Sequence, residues 1–254
     1  SSLLSRRTPF SVFFLDNISC SSSSEVFWLL AGATWYGPPE GAGSEGGACG
    51  YGGAVSKPPY YSMISAGGPS LFLSGKGCGA CYQVLCTSNK ACSGKPVTVV
   101  ITDECPGCTS EAVHFDLSGH AFGTMALPGQ AQQLRNAGVL QIQYQRVACN
   151  WRGTKVTFVV DKGANPYSFE TLAEYENGEG EVGFAELKQA GATAWQPMHP
   201  RPGSATWVID SGSPLRAPYS IRLTAPDSKR TIEATNVIPY NWQAGQTYVS
   251  NINF

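Results

Sequence analysis

Charge is scarce in this sequence. Asp, Glu, Lys and Arg make up only 14% of the 254 residues, and 17 basic groups against 18 acidic ones leave a net charge of −1. Without a basic surplus, nucleic acid is not an expected partner. Long apolar runs are missing too. Those at 10–15 and 26–30 are too short to cross a bilayer, so no stable membrane insertion is expected. Cysteine is absent after Cys149. That last stretch also shows no nucleophile constellation and no metal-ligand spacing.

What is present favours many short strands. The 29 Gly and 17 Pro favour turns over long helices. A hydrophobic fraction of 42% suffices for packed cores, and the length allows one large domain or two ordinary ones. A near-neutral surface bearing aromatics suits an uncharged ligand such as a polysaccharide. Eight of the nine cysteines fall between Cys49 and Cys149. That density argues for a disulfide framework and a secreted protein. Cys78-x-x-Cys81 and Cys105-x-x-Cys108 look like halves of a zinc ribbon. The gap between them is long and four other cysteines compete, so disulfides are preferred. No metal and no cofactor is expected.

Residues 1–31 differ from the rest. Arg6-Arg7 precede the first apolar run, and Cys20 stands apart as the expected unpaired thiol. The segment reads as a degenerate secretory signal or a disordered leader. Gly41-x-Gly43-x-x-Gly46 matches a dinucleotide fingerprint in letters. Pro38-Pro39 precede it where a strand is needed, and no helix follows. Thr34, Trp35 and Tyr36 are expected to stand exposed before that loop. Trp35 and Tyr36 can stack on a sugar ring or plug the core.

The most informative stretch is 97–118. Residues 97–102 read as a buried strand ending at Asp103, and a Gly/Pro/Cys turn leads to His114-Phe115-Asp116. Alternation puts His114 and Asp116 on one face and Phe115 in the core. Two carboxylates and an imidazole gathered at strand ends can do acid/base work or hydrogen-bond a sugar. They can equally cap turns. Strands are also expected at 80–86 and 139–149, with helical stretches at 117–126 and 130–136. Asn150-Trp151-Arg152-Gly153 reads as a linker. Beyond it, alternation at 155–160, 181–187, 205–210, 219–224 and 229–234 suggests a β-sandwich. Trp207 alternates with Ala205 and Ile209 and is read as core. Trp195, in a polar run, and Tyr167, in a turn, are the surface candidates.

Taken together, Thr34-Trp35-Tyr36-Gly37, GACGYG at 47–52, GCGACYQV at 77–84, HFDLS at 114–118 and VIPYNW at 237–242 resemble expansins. CSG at 92–94 and GVLQIQYQRVAC at 138–149 are similar to the β-expansin branch, which includes grass-pollen group-1 allergens. The resemblance implies an all-β chain, a double-psi β-barrel followed by an immunoglobulin-like β-sandwich. It divides the chain into a leader at 1–31, a barrel at 32–149, a linker at 150–153 and a carbohydrate-binding sandwich at 154–254. It implies a secreted, monomeric protein that loosens plant cell walls without hydrolysis. Its implied partners are cellulose and a xylan-type matrix glycan.

Roles follow by the same resemblance. Asp116 matches the carboxylate that is the general acid of family-45 endoglucanases. Asp103 matches a second groove carboxylate; Thr34, Trp35 and Tyr36 match the groove floor, and His114 joins the same polysaccharide-binding set. Two residues past the tyrosine, where those endoglucanases carry the base, stands Pro38, which accepts no proton. Inverting hydrolysis needs a second carboxylate roughly 6.5–9.5 Å away to activate water. No catalytic residue is therefore expected. An endoglucanase or lytic transglycosylase would need Glu40 or Asp103 as its base. The resemblance implies disulfides Cys49–Cys78, Cys81–Cys149 and Cys86–Cys92; Cys105 and Cys108 fall outside these and are expected to pair together. Trp195 and Tyr167 are the implied sugar contacts of the sandwich. Tyr167 follows Asn165-Pro166, one residue out of step with the family's order.

Overall fold

The computed structural model describes residues 26–254. The apolar run at 10–15 and Cys20 lie outside the described residues. Six strands close a barrel: β1 (Leu29–Tyr36), β2 (Ile64–Gly67), β3 (Cys81–Leu85), β4 (Val97–Glu104), β5 (His114–Ser118) and β6 (Leu140–Val147). Their order around it is β1-β5-β2-β4-β3-β6. β1 runs parallel to β5 and β2 to β4, and the remaining pairs are antiparallel. Three short helices accompany them: α1 (Pro69–Phe72), α2 (Gly119–Thr124) and α3 (Ala131–Ala137).

β1 begins earlier than the sequence suggests. Leu29, Leu30 and Ala31 pair with Tyr144, Gln143 and Ile142 of β6, so the end of the expected leader belongs to the barrel. β1 also continues through Thr34, Trp35 and Tyr36, which are half-buried rather than exposed. β1 and β2 are rich in Ala, Gly and Ser, residues with little strand preference. Crowding explains their size. A Cβ on Gly32 would lie 2.6 Å from the Glu111 carboxyl, and one on Gly67 2.8 Å from Leu71 Cβ.

The second unit is a sandwich of nine strands. They are β7 (Thr157–Val160), β8 (Ser168–Glu174), β9 (Phe184–Lys188), β10 (Gln196–Pro197), β11 (His199–Pro200), β12 (Thr206–Asp210), β13 (Tyr219–Thr224), β14 (Thr231–Ile238) and β15 (Thr247–Val249). One sheet has the order β11-β12-β8-β7-β15 and the other β10-β9-β13-β14. Between them Phe158, Phe169, Leu187, Trp207, Tyr219 and Ile221 form a core. The eight described cysteines are joined as Cys49–Cys78, Cys81–Cys149, Cys86–Cys92 and Cys105–Cys108. Among the described residues, no helix is long and apolar enough to cross a membrane.

Barrel and sandwich meet through backbone as well as side chains. Cys149 and Gly178 exchange two N–H···O bonds, and the N–H groups of Ala205 and Gly203 donate to the carbonyls of Cys49 and Ser74. Gly79 and Gly180 approach so closely that a Cβ on either would strike the other's carbonyl oxygen. Nearby, Tyr51, Tyr60, Trp151 and Tyr175 pack with neighbouring ring centroids 5.2–5.8 Å apart. Glu174 and Glu176 lie against this cluster, each only 3% exposed, and Glu176 Oε1 has no partner among the described residues.

Burial raises the Glu174 carboxyl to about 7 and that of Glu176 to about 8, from an ordinary 4.5. Glu181 is raised too, by burial, with Arg146 at 3.4 Å opposing. An acid raised in this way binds its proton more tightly in the fold than in the unfolded chain. Its stabilisation is complete below about 4.5 and is lost as pH rises through about 7 to 8. The melting temperature is therefore expected to fall across that interval. Glu176→Gln should flatten the fall in melts followed by near-UV circular dichroism. An unchanged slope would place the titration elsewhere.

Candidate functional site

The pairing of β1 with β5 builds the site. Its register sets Thr34 opposite Asp116 and Gly32 opposite His114. Side chains two apart in a strand share a face, so Thr34, His114 and Asp116 meet on one wall. The Thr34 hydroxyl donates to Asp116 Oδ1 at 2.7 Å and lies 2.8 Å from His114 Nε2. His114 Nδ1 lies 2.9 Å from Glu111 Oε2, which also accepts from the Ser110 hydroxyl at 2.8 Å. His114 is only 5% exposed and both its ring nitrogens are engaged. It was expected to touch the glycan; it is instead placed behind Thr34 and reaches the groove through that hydroxyl.

Asp116 stands in the middle of β5, not at a strand end. Burial lifts its carboxyl above the ordinary range; the Thr34 bond and His114 oppose this, and Asp103 adds to it. Asp103, near the end of β4, is well supplied with donors. Its Oδ1 accepts from the backbone N–H groups of Ala48 and Glu104, both at 2.8 Å, and its Oδ2 accepts from the Tyr36 hydroxyl at 3.3 Å. Burial first and Asp103 second push that hydroxyl well above its ordinary value. Gly43 makes room for the ring, since a Cβ there would lie 2.5 Å from it, at a φ of +75°. The glycine run that imitates a dinucleotide fingerprint thus includes a cradle for Tyr36.

Trp35 alternates away from Thr34 and Tyr36. It packs against the barrel core, and its indole N–H donates to the Arg135 carbonyl at 3.0 Å. One wall of the barrel therefore gathers Thr34, Tyr36, Asp103 and Asp116, with Trp35 and His114 behind. Arg135 is buried, donates through Nε to the Gly119 carbonyl at 3.0 Å, and lies 3.5 Å from the exposed Glu40 carboxylate. The Cys105 and Cys108 sulfurs lie within 4.8 Å of an Asp116 oxygen, but they are bonded to each other and offer no thiolate. Glu111 and Arg135 escaped the sequence reading. The only trace of Glu111 is its place three residues before His114. Arg135 looks like an ordinary helix residue.

On the sandwich, Trp195 lies outside the core. Its ring sits over two cations, Lys188 Nζ at 4.8 Å and the Arg222 guanidinium at 4.4 Å. Both project from the outer face of the four-stranded sheet. Arg222 is itself held by a two-pronged bond to Glu186, at 2.7 and 2.8 Å. Tyr167 is 53% exposed, in a turn where Asn165 Oδ1 accepts its N–H. It leads into β8 of the other sheet, so the two sugar candidates belong to different sheets. Tyr240, unnoticed in the sequence, is the most exposed large hydrophobic among the described residues, at 81%.

The Tyr36 cradle is testable. Gly43→Ala is expected to cost about 1–2 kcal/mol through its left-handed backbone alone and to displace the ring from Asp103. Thermal melts and the tyrosine near-UV signal check this. Unchanged stability would mean the loop adapts freely.

Residues 64–144 match the family described as lytic transglycolase, and residues 156–239 match the expansin C-terminal domain. The chain is 61% identical over 239 residues to putative expansin-B2 of Arabidopsis thaliana, covering 94% of this chain and 87% of that protein. It is 54% identical over 231 residues to expansin-B11 of Oryza sativa subsp. japonica, covering 89% and 78%. The crystal structure of the apo expansin of Clavibacter michiganensis aligns with a TM-score of 0.66 at 21% identity, covering 89% of this chain and 98% of that one. A mutant of that bacterial protein in complex with cellohexaose gives 0.67 at 20% identity with the same coverage. The likeness to the bacterial protein is one of fold, a double-psi barrel followed by a sandwich.

Proposed function

Since this chain belongs to the expansin family, in its B branch, we propose that it loosens plant cell walls by binding cellulose and matrix glycan and breaking their non-covalent adhesion. Expansins are cell-wall proteins and as a family non-catalytic; we extend both properties to this chain, with secretion as its route. The surroundings of Asp116 carry the reading. Cleavage with inversion would need a second carboxylate free to activate water. Asp103 already accepts three hydrogen bonds, the Glu40 carboxylate lies against Arg135, and Pro38 offers no acceptor. An acid so placed supports holding a glycan rather than cutting it.

The bacterial expansin bound to cellohexaose supports a β-linked glucan as ligand. The low charge supports a neutral second ligand, which we take to be a xylan-type matrix glycan; we take the chain to act as a monomer. We assign the groove to residues 32–149 and attachment to residues 154–254, with 150–153 between them.

Two experiments test this. In creep assays on heat-inactivated wall strips, the protein should extend walls while releasing no reducing sugar from β-1,4-glucan or xylan. Asp116→Asn should slow extension roughly tenfold or more, since charge-assisted hydrogen bonds contribute about 1.5–3 kcal/mol. Steady release of reducing ends, abolished by that substitution, would favour the endoglucanase or transglycosylase reading. Attachment should depend on Trp195, whose indole can stack on a glucose ring without charge. Trp195→Ala in the full chain should weaken binding to insoluble cellulose about tenfold. A folded variant that binds like wild type would move the anchor to Tyr167 or Tyr240.

A further inference from the structure

A file of hydrogen bonds leads from solvent to the groove. It runs from Glu111, 40% exposed, through buried His114 and the Thr34 hydroxyl to Asp116, in steps of 2.9, 2.8 and 2.7 Å. We propose that Glu111 is a positioning residue for Asp116: it holds the charge of His114, and His114 and Thr34 form a proton relay ending at the Asp116 carboxyl. The proposal rests on Asp116 being the acid that faces the glycan.

Counting donors and acceptors leads there. An ionised carboxylate only accepts hydrogen bonds. The His114 bond, first among its causes, holds the Glu111 carboxyl below its ordinary range. His114 Nδ1 must therefore carry a proton, and only Nε2 is left undecided. Thr34 has one proton and two neighbours that compete for it. When Asp116 is ionised, Thr34 donates to Asp116, so Nε2–H donates to Thr34 and the ring is an imidazolium. When Asp116 is protonated, its O–H donates to Thr34, and the Thr34 hydroxyl turns to a bare Nε2 on a neutral ring. Both states hold the same number of protons. Passing from the first to the second breaks the Nε2–H bond. That proton joins Thr34 Oγ1 while the Thr34 proton moves to Asp116 Oδ1. Glu111 stays a carboxylate, and nothing enters from solvent.

The fold is built around this file. Gly32 leaves the space it needs: a Cβ there would lie 2.6 Å from the Glu111 carboxyl and 2.7 Å from His114 Nδ1. The Gly32 N–H also donates to the Val113 carbonyl at 3.0 Å, which fixes the chain between Glu111 and His114. Asp103, with Tyr36 bonded to it, is the other ionisable group facing Asp116. Through the relay, Asp116 can meet one sugar hydroxyl as an acceptor and the next as a donor.

The test is a titration of the full chain without glycan, following the Asp116 carboxyl by carbon-13 NMR and His114 by nitrogen-15 NMR. Glu111→Gln keeps an acceptor for Nδ1–H but removes the charge that holds the imidazolium. The relay then requires the Asp116 midpoint to rise by about one pH unit, with Nε2 losing its proton in step. Simple removal of a negative charge would instead lower that midpoint. Thr34→Val should abolish the rise and Thr34→Ser should retain it, with backbone amide shifts confirming the fold of each variant. A midpoint that falls or stays in Glu111→Gln, or an equal rise in the Thr34→Val background, overturns the relay. A chain that shows the shift yet leaves wall strips unextended keeps the relay and loses the wall-loosening reading.

Discussion

The register of β1 against β5 is the constraint on which the groove depends. Phe115 and Leu117 are fully buried, and they alternate with His114 and Asp116 on the opposite face. Sliding β5 by one residue would take both apolar side chains out of the core and turn the acid into it. The carboxyl is thus held in place by hydrophobic neighbours one position out of phase. The same alternation on β1 sends Thr34 and Tyr36 to the groove and Trp35 to the core. Acid, hydroxyl and phenol converge because two short strands cannot slip.

The junction is a second place where scarcity of charge has structural consequences. Arg146 lies 3.4 Å from Glu181 of its acidic cluster. Glu174 and Glu176 sit among tyrosine and tryptophan rings, where burial favours their protonated forms. Aromatic packing and protonated acids together join the barrel to the sandwich.

Much of this was legible in the sequence, and the failures have common causes. The cysteine spacing, the apolar run before Asp103 and the His114-Phe115-Asp116 alternation each carry local information, and each corresponds to an element of the barrel. β1 and β2 were obscured because their Ala, Gly and Ser answer to neighbours far away in sequence, such as Glu111 and Leu71. Thr34-Trp35-Tyr36 read as an exposed group because nothing local reveals that β5 pairs along them. β8 and the short β10, β11 and β15 were likewise absent from the reading. Their signals are brief and interrupted by proline or charge. In the groove, Asp103 and Asp116 were visible as residue types at strand positions. The withdrawal of His114 behind Thr34 was not, since it depends on Glu111 folding back over Gly32.

The backbone bonds between barrel and sandwich bear on how the protein does work. Cys149 with Gly178, Cys49 with Ala205 and Ser74 with Gly203 join main chain to main chain at three separate points. Three such points define a plane, so the seam resists both bending and torsion, and no side-chain rotation loosens it. The Asp116 wall of the barrel and the Trp195 face of the sandwich are thereby tied together through main chain. Flexing between the two units would have to break these main-chain hydrogen bonds.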